Sequence, residues 1–414
     1  MYETPLTGLV LSGGGARAAY QVGVLRAIAR LRRETLGPRS RLQSPFGVIC
    51  GTSAGAINAA ALACHADRFE ASVEVISKVW QNFSAEQVYR ADSLGVIRSG
   101  AQWLTMLSMG WFIARWRRAR PRSLLDNSPL AELLQRLVPL DRLPVMLAER
   151  QLHALAVTAS SYTSGEHFTF YCTSPPTVAP WLRSQRVAAP VTLTHAHLLA
   201  SSAIPFVFPA AHIDHPGASG WFGDGSMRQT APLSPAIHLG AQRLLIVGAG
   251  RMSEPEARSV PDTGYPNLAT IAGHAMASIF LDALAVDIER MRRINRTLAL
   301  LPDSALADTP LRPVEALVIS PTQRLDDIAA RHLGSLPAPV RGLLRGMGVG
   351  GEGRSARGAA LASYLLFEAP FTSELMALGE ADTMARGDEV LQFFGWGRPP
   401  PRKVPSAEVD IALP

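Results

Sequence analysis

Three cysteines in 414 residues, Cys50, Cys64 and Cys172, exclude a disulfide framework and a cysteine-rich zinc module. Two of them lie in apolar runs, which fits buried thiols in a reducing compartment. Lysine is nearly absent: of 40 basic residues only Lys78 and Lys403 are lysines. That arginine skew accompanies an Ala- and Gly-rich composition and reads as coding background. The net charge of +6 therefore gives no support for nucleic acid as a partner. Charged residues make up only 18% and hydrophobic residues 47%, which excludes a disordered chain and leaves one large or two smaller folded domains. The opening "MYETPLTGLVLSGGG" has no basic start before its apolar run, so it does not read as a secretory leader. The expectation is a cytoplasmic location, free or peripheral on the inner face of the membrane, or else export by a route that leaves no readable N-terminal address.

Over the first 250 residues apolar strands alternate with helices. "TGLVLSGGGARAAYQVGVLRAIARL" reads as strand, glycine turn and amphipathic helix, and "FGVICGTSAGAINAAALA" repeats the pattern. "LHALAVTASSY", "HFTFYC" and "RLLIVGAG" are further strands, and "IAGHAMASIFLDALAVDIERMRRINR" is a long helix. Such alternation predicts an α/β fold with a mostly parallel sheet covered on both faces. The predicted layout is an α/β domain over 1–300, a mainly helical extension over 301–396 and a disordered tail over 397–414. "GMGVGGEGRSARG" interrupts the extension as a Gly-rich linker.

Three motifs carry the chemistry. The first is Gly51-Thr52-Ser53-Ala54-Gly55. G-x-S-x-G alone is a weak signal, but here an apolar strand precedes it and a run of helix formers follows. That is the setting of a nucleophile elbow, a sharp turn that lifts the Ser53 hydroxyl above the sheet next to a helix N-terminus. A plain βα turn is the competing reading. An α/β-hydrolase triad fits poorly, because only one strand precedes the elbow and His238, His274 and His332 follow no strand. The second motif, Gly13-Gly14-Gly15-Ala16-Arg17, directly follows the first strand. It matches neither nucleotide-binding fingerprint, since Ala18 stands where a dinucleotide loop needs Gly. It reads instead as a loop of backbone N–H donors that shares a crevice with the elbow. The third, Trp221-Phe222-Gly223-Asp224-Gly225-Ser226, sets a carboxylate on a tight turn; an ordinary Asx turn is the alternative.

In this order the three motifs resemble the patatin-like phospholipases, bacterial type, and "LLASSAIPFVFPA" resembles a stretch usual in that family. The resemblance covers about residues 6 to 300; Ser226 departs from it, where Gly or Ala is usual. It implies a three-layer α/β/α patatin-like fold and a Ser53–Asp224 dyad without histidine. It further implies an oxyanion hole from Gly13, Gly14, Gly15 and Ala54, with Arg17 fixing the loop, and structural roles for Gly51, Gly55 and Gly225. The implied reaction is acyl transfer from a lipid ester, of phospholipase A or lysophospholipase type, to Ser53 and then to water. A soluble esterase for short acyl chains and a non-catalytic scaffold are the alternatives. No cofactor is expected, and no metal: His212, Asp214 and His215 form at most a partial site, and His195 and His197 diverge on a helix.

Residues 98–122 hold a charge-free stretch, "SGAQWLTMLSMGWFIA", followed by "RWRRARPR". It is too short to span a bilayer. Trp103, Trp111 and Trp116 beside arginines suit either an anionic membrane surface, contacted through 103–122, or a lid over the site. A phospholipid or other acyl-ester lipid is the expected partner; the oligomeric state is not readable.

Overall fold

The computed structural model describes residues 5–37, 43–90, 123–176, 178–217, 219–252, 265–350 and 358–397. The apolar and basic segment 98–122, the core of the Gly-rich linker and the tail from 398 lie outside the described residues.

Buried, uninterrupted apolar runs become strands. β1 (Thr7–Leu11), β2 (Val48–Thr52), β3 (Ala154–Ser161) and β9 (Arg243–Val247) lie side by side and parallel, in the order β9-β1-β2-β3. β10 (Glu315–Ile319) extends that edge beyond β9, also in parallel. At the other edge β4 (His167–Thr173) pairs antiparallel with β3. β6 (Arg186–Pro190) and β5 (Leu182–Arg183) continue outward from it. β8 (Gly220–Asp224) joins antiparallel to the end of β3 and carries β7 (Ala211–Ile213).

Alternate residues of each central strand enter different cores. Leu9, Leu11, Ile49, Leu155, Val157, Leu245 and Val247 pack on one face; Val10, Val48, Cys50, Ala156, Leu244 and Ile246 pack on the other. With period-two side chains, burial of both sets requires helices on both faces. The first face is covered by α1 (Ala19–Leu36), α2 (Ala54–Ala63), α3 (Phe69–Gln81) and the helix Ala369–Met384. Leu233, Ala236, Leu284, Ile288 and Met291 cover the second. The result is a three-layer α/β/α fold with a helical C-terminal region.

That region is tied closely to the sheet. β10, which the sequence reading does not anticipate, is a strand of it. The helix Ala369–Met384 crosses α1 at glycines: a Cβ on Gly23 would stand 2.0 Å from Met376 O, and one on Gly379 would stand 2.2 Å from Tyr20 O. The expected long helix runs Leu268–Leu298, with a π turn at Ser278–Asp282. Among the described residues it alone has the length and apolarity of a membrane span.

Candidate active site

Register on β3 brings Ser53 and Asp224 together. Thr52, the last residue of β2, is opposite Thr158, and Asp224, the last of β8, is opposite Ala159. β2 and β8 thus meet end to end along one side of β3. The residue after Thr52 lies beside Asp224, although 171 positions separate them in sequence. The Ser53 hydroxyl donates to Asp224 Oδ2 at 2.6 Å, and the Ser226 N–H donates to Asp224 Oδ1 at 2.9 Å.

Ser53 has φ 56° and ψ −131°, a conformation a side chain rarely adopts and one that costs about 1–3 kcal/mol. The flanking glycines make room for it. A Cβ at Gly51 would lie 2.4 Å from Gly55 O, and one at Gly55 would lie 2.5 Å from Leu11 O. Gly225 is confined likewise, by Thr158 O at 2.4 Å. Two further bonds hold the turn: the Ser53 N–H donates to Ser201 Oγ at 2.9 Å, and the Asp224 N–H to Ala203 O at 3.0 Å. Sequence reading missed Ser201, because a serine pair at the end of a short helix looks like ordinary capping.

Both members of the pair are buried, with Ser53 1% and Asp224 0% exposed. Burial is the largest influence on the Asp224 carboxyl and pushes it up to about 6; the Ser53 hydroxyl and the Ser226 N–H draw it part of the way back. A carboxylate with that proton affinity can accept a hydroxyl proton more readily than an ordinary Asp. Among the described residues no histidine bonds to Ser53 or Asp224. His167, which bonds to the Gly225 backbone, is pushed down to about 4, chiefly by burial, and stays neutral at pH 7.

The glycine loop lies against the same turn. A Cβ on Gly13 would stand 2.3 Å from Ser226 Oγ, so the loop and the Asp224 turn are in contact. Gly15 has φ 54°, and a Cβ there would meet Tyr364 O at 2.3 Å. The Ala16 N–H donates to that same oxygen at 3.1 Å. The N–H groups of Gly14 and Gly15 have no acceptor among the described residues. The N–H of Ala54, first in α2, has no intrahelical acceptor either. Arg17 is buried, and its guanidinium is committed to Ser363 Oγ at 2.7 Å, to Asp326 and to Ala360 O at 3.3 Å. It also lies 4.1 Å above the Tyr364 ring. Its geometry is that of an anchor for the loop.

Ser53, Ala54 and Gly15 form one end of an apolar channel of about 80 Å³. From there it follows Ile57 and Ala61 of α2, then passes between Val75 and Val79 of α3 and Leu133 and Leu137 of the helix Ser128–Leu137. Val75 and Leu137 are exposed, so the channel reaches the surface between those helices. Among the described residues no three His, Cys, Asp or Glu side chains are grouped to hold a metal; His212 instead packs edge-on against Trp221.

No curated protein sequence matches the chain. Similar solved structures include VipD from Legionella pneumophila, 13% identical over 90% of this chain and 67% of that one, with a TM-score of 0.32. Human GIVD cytosolic phospholipase A2 in complex with methyl gamma-linolenyl fluorophosphonate is 14% identical, with a TM-score of 0.42. That alignment covers 94% of this chain and 59% of the human one, so this chain spans about three fifths of its length. ExoU from the type III secretion system of Pseudomonas aeruginosa, solved with SpcU, is 16% identical over 91% and 71% of the two chains, with a TM-score of 0.24. At such scores none of them fixes the role of a residue. The profile of the patatin-like phospholipases matches residues 9–237, more than half of the sequence and all three motifs. The chain belongs to the patatin-like phospholipase family, a family of lipid ester hydrolases.

Proposed function

We propose that the protein is a serine lipid acyl hydrolase of phospholipase A or lysophospholipase type, working through Ser53 and Asp224. The single observation that carries this reading is the 2.6 Å bond from the hydroxyl on the strained elbow to a fully buried carboxylate. Asp224 accepts the Ser53 proton as Oγ attacks the ester carbonyl. The N–H groups of Gly14, Gly15 and Ala54 stabilise the oxyanion, which in this water-poor site is the largest contribution to rate. Protonated Asp224 then gives its proton to the departing alcohol. In the second half-reaction it takes a proton from water, which attacks the acyl-enzyme. The channel leading from Ser53 receives the acyl chain, and its almost wholly apolar wall selects lipid over polar esters.

The test is covalent labelling with a fluorophosphonate, read by mass spectrometry, beside fatty-acid release from mixed phospholipid vesicles. Adduct on Ser53 with release of fatty acid is expected. Ser53→Ala and Asp224→Asn lose both while keeping the fold, and full activity in either would sink the mechanism. Adduct without release from vesicles selects the short-chain esterase. Absence of adduct in folded protein selects the scaffold.

A further inference from the structure

The dyad is held from outside the three motifs. Ser201 is the last residue of the helix His195–Ser201 and is fully buried. Its Oγ accepts the N–H of Ser53, and two residues on Ala203 O accepts the N–H of Asp224. One turn therefore grips the backbones of both dyad residues, which come from different strands. The grip on Ser53 matters because its peptide is strained and has no solvent to fall back on. Without Ser201 Oγ that N–H is a buried donor with no partner, and the favourable response is to relax the φ 56° turn. Relaxation rotates the Ser53 side chain away from Asp224.

We propose that Ser201 is a positioning residue for the dyad, holding Ser53 in its reactive conformation through the backbone N–H while Ala203 holds Asp224. The proposal rests on the Ser53–Asp224 mechanism. Ser201 touches no substrate: Ser202 and Ile204, its neighbours, line the acyl channel and it does not.

The experiment compares Ser201→Ala, Ser201→Thr and Thr383→Ala with the wild type. Thr383 is as buried as Ser201 and donates only within its own helix, to Gly379 O, so its loss reports the generic effect of deleting a buried hydroxyl. Three quantities are read: the rate of fluorophosphonate labelling, kcat and KM on p-nitrophenyl butyrate, and Tm. Ser201→Ala is expected to lower both the labelling rate and kcat about 10- to 100-fold, the size of an unpaired buried donor. KM stays within about twofold, because the channel is untouched. Ser201→Thr keeps Oγ and recovers most of the rate, whereas Thr383→Ala lowers Tm and leaves kcat unchanged.

Wild-type labelling and kcat in Ser201→Ala overturn the proposal, as does failure of Ser201→Thr to exceed Ser201→Ala. If Ser201→Ala does not fold, Ser201→Cys carries the same comparison with a weaker acceptor: an intermediate rate supports the grip and an unchanged rate refutes it. An unlabelled, inactive wild type overturns the dyad mechanism itself, and the positioning role falls with it.

Discussion

Asp224 should leave one titration in two measurements, with opposite sign. Burial pushes its carboxyl from 3.8 up to about 6. The native state therefore keeps a proton that the unfolded chain releases, so stability falls as pH rises from about 4 to about 6 and is level above that. At 1.36 kcal/mol for each tenfold change in proton affinity, the ionised carboxylate costs the fold about 3 kcal/mol at neutral pH. Catalysis needs that ionised form, so kcat/KM should climb about tenfold per pH unit below about 6 and level off above it.

The perturbation that separates the two is Asp224→Asn. The amide keeps the volume and the acceptor for the Ser226 N–H but carries no charge. It should abolish turnover and stabilise the fold, by about 1 kcal/mol at pH 4.5 and about 3 kcal/mol at pH 7.5, the gap following the wild-type titration. Thermal melts of wild type and variant across that range give the gap, and initial rates on one ester give the profile. A gap that does not change with pH, or an acid limb centred near 4, would mean that Asp224 is not the desolvated base.

Ser53→Gly should be more stable than Ser53→Ala by about 1 kcal/mol in thermal melts, since glycine adopts φ 56° without strain; equal stabilities would deny that the elbow is strained. Ala61 faces the channel about 10 Å beyond Ala54 along α2. Ala61→Phe should therefore cut hydrolysis of long-chain esters relative to butyrate by at least about tenfold, and an unchanged acyl-length profile would remove the acyl chain from this channel. Arg17→Met keeps the stem but leaves Asp326 only its longer 3.6 Å contact with Arg324 and removes the donor to Ser363 Oγ; it should cost about 2 kcal/mol in a thermal melt and lower kcat more than it raises KM. Unchanged kcat would detach Arg17 from the glycine loop.

The elbow and the glycine loop were legible because each is a local device. Gly51 and Gly55 flank a serine between an apolar strand and a small-residue helix, and Gly13 to Gly15 directly follow a strand. Asp224 was legible as a carboxylate on a tight turn. That the glycine loop and the elbow share a crevice followed from adjacent βα turns, but that Asp224 joins them came only with the family resemblance, because its meeting with Ser53 depends on β8 pairing with β3 at Ala159 beside the end of β2. A pairing of that range leaves no trace in periodicity. Ser201 was hidden for a related reason: its partner is a backbone N–H across the fold. β10 escaped because "EALVI" is short and follows a helix, and nothing local sets it apart from the turn of a helical region. The expected lid or membrane contact at 103–122 lies outside the described residues.

The family match ends at residue 237, but the site does not. The matched part supplies Ser53, Asp224 and the three glycines, and a glycine loop of that kind has little of its own to hold its shape. Gly15 in a left-handed conformation and the Ala16 N–H are both set against Tyr364 O. Arg17, a buried charge, is tolerated because Asp326, Ser363, Ala360 O and the Tyr364 ring surround it. From the other side Phe280, in the π turn, stacks on Tyr364 at 5.0 Å and lies 2.9 Å from where a Gly13 Cβ would be. Each of these groups comes from beyond residue 237. The glycine loop is therefore set by side chains and carbonyls far along the sequence, among them the pair between buried Arg17 and half-buried Asp326. The region past residue 300 contributes an edge strand, a helix packed on α1 and the groups beneath the glycine loop. The sheet and that region pack as one unit, and the glycine loop is one place where the two are joined.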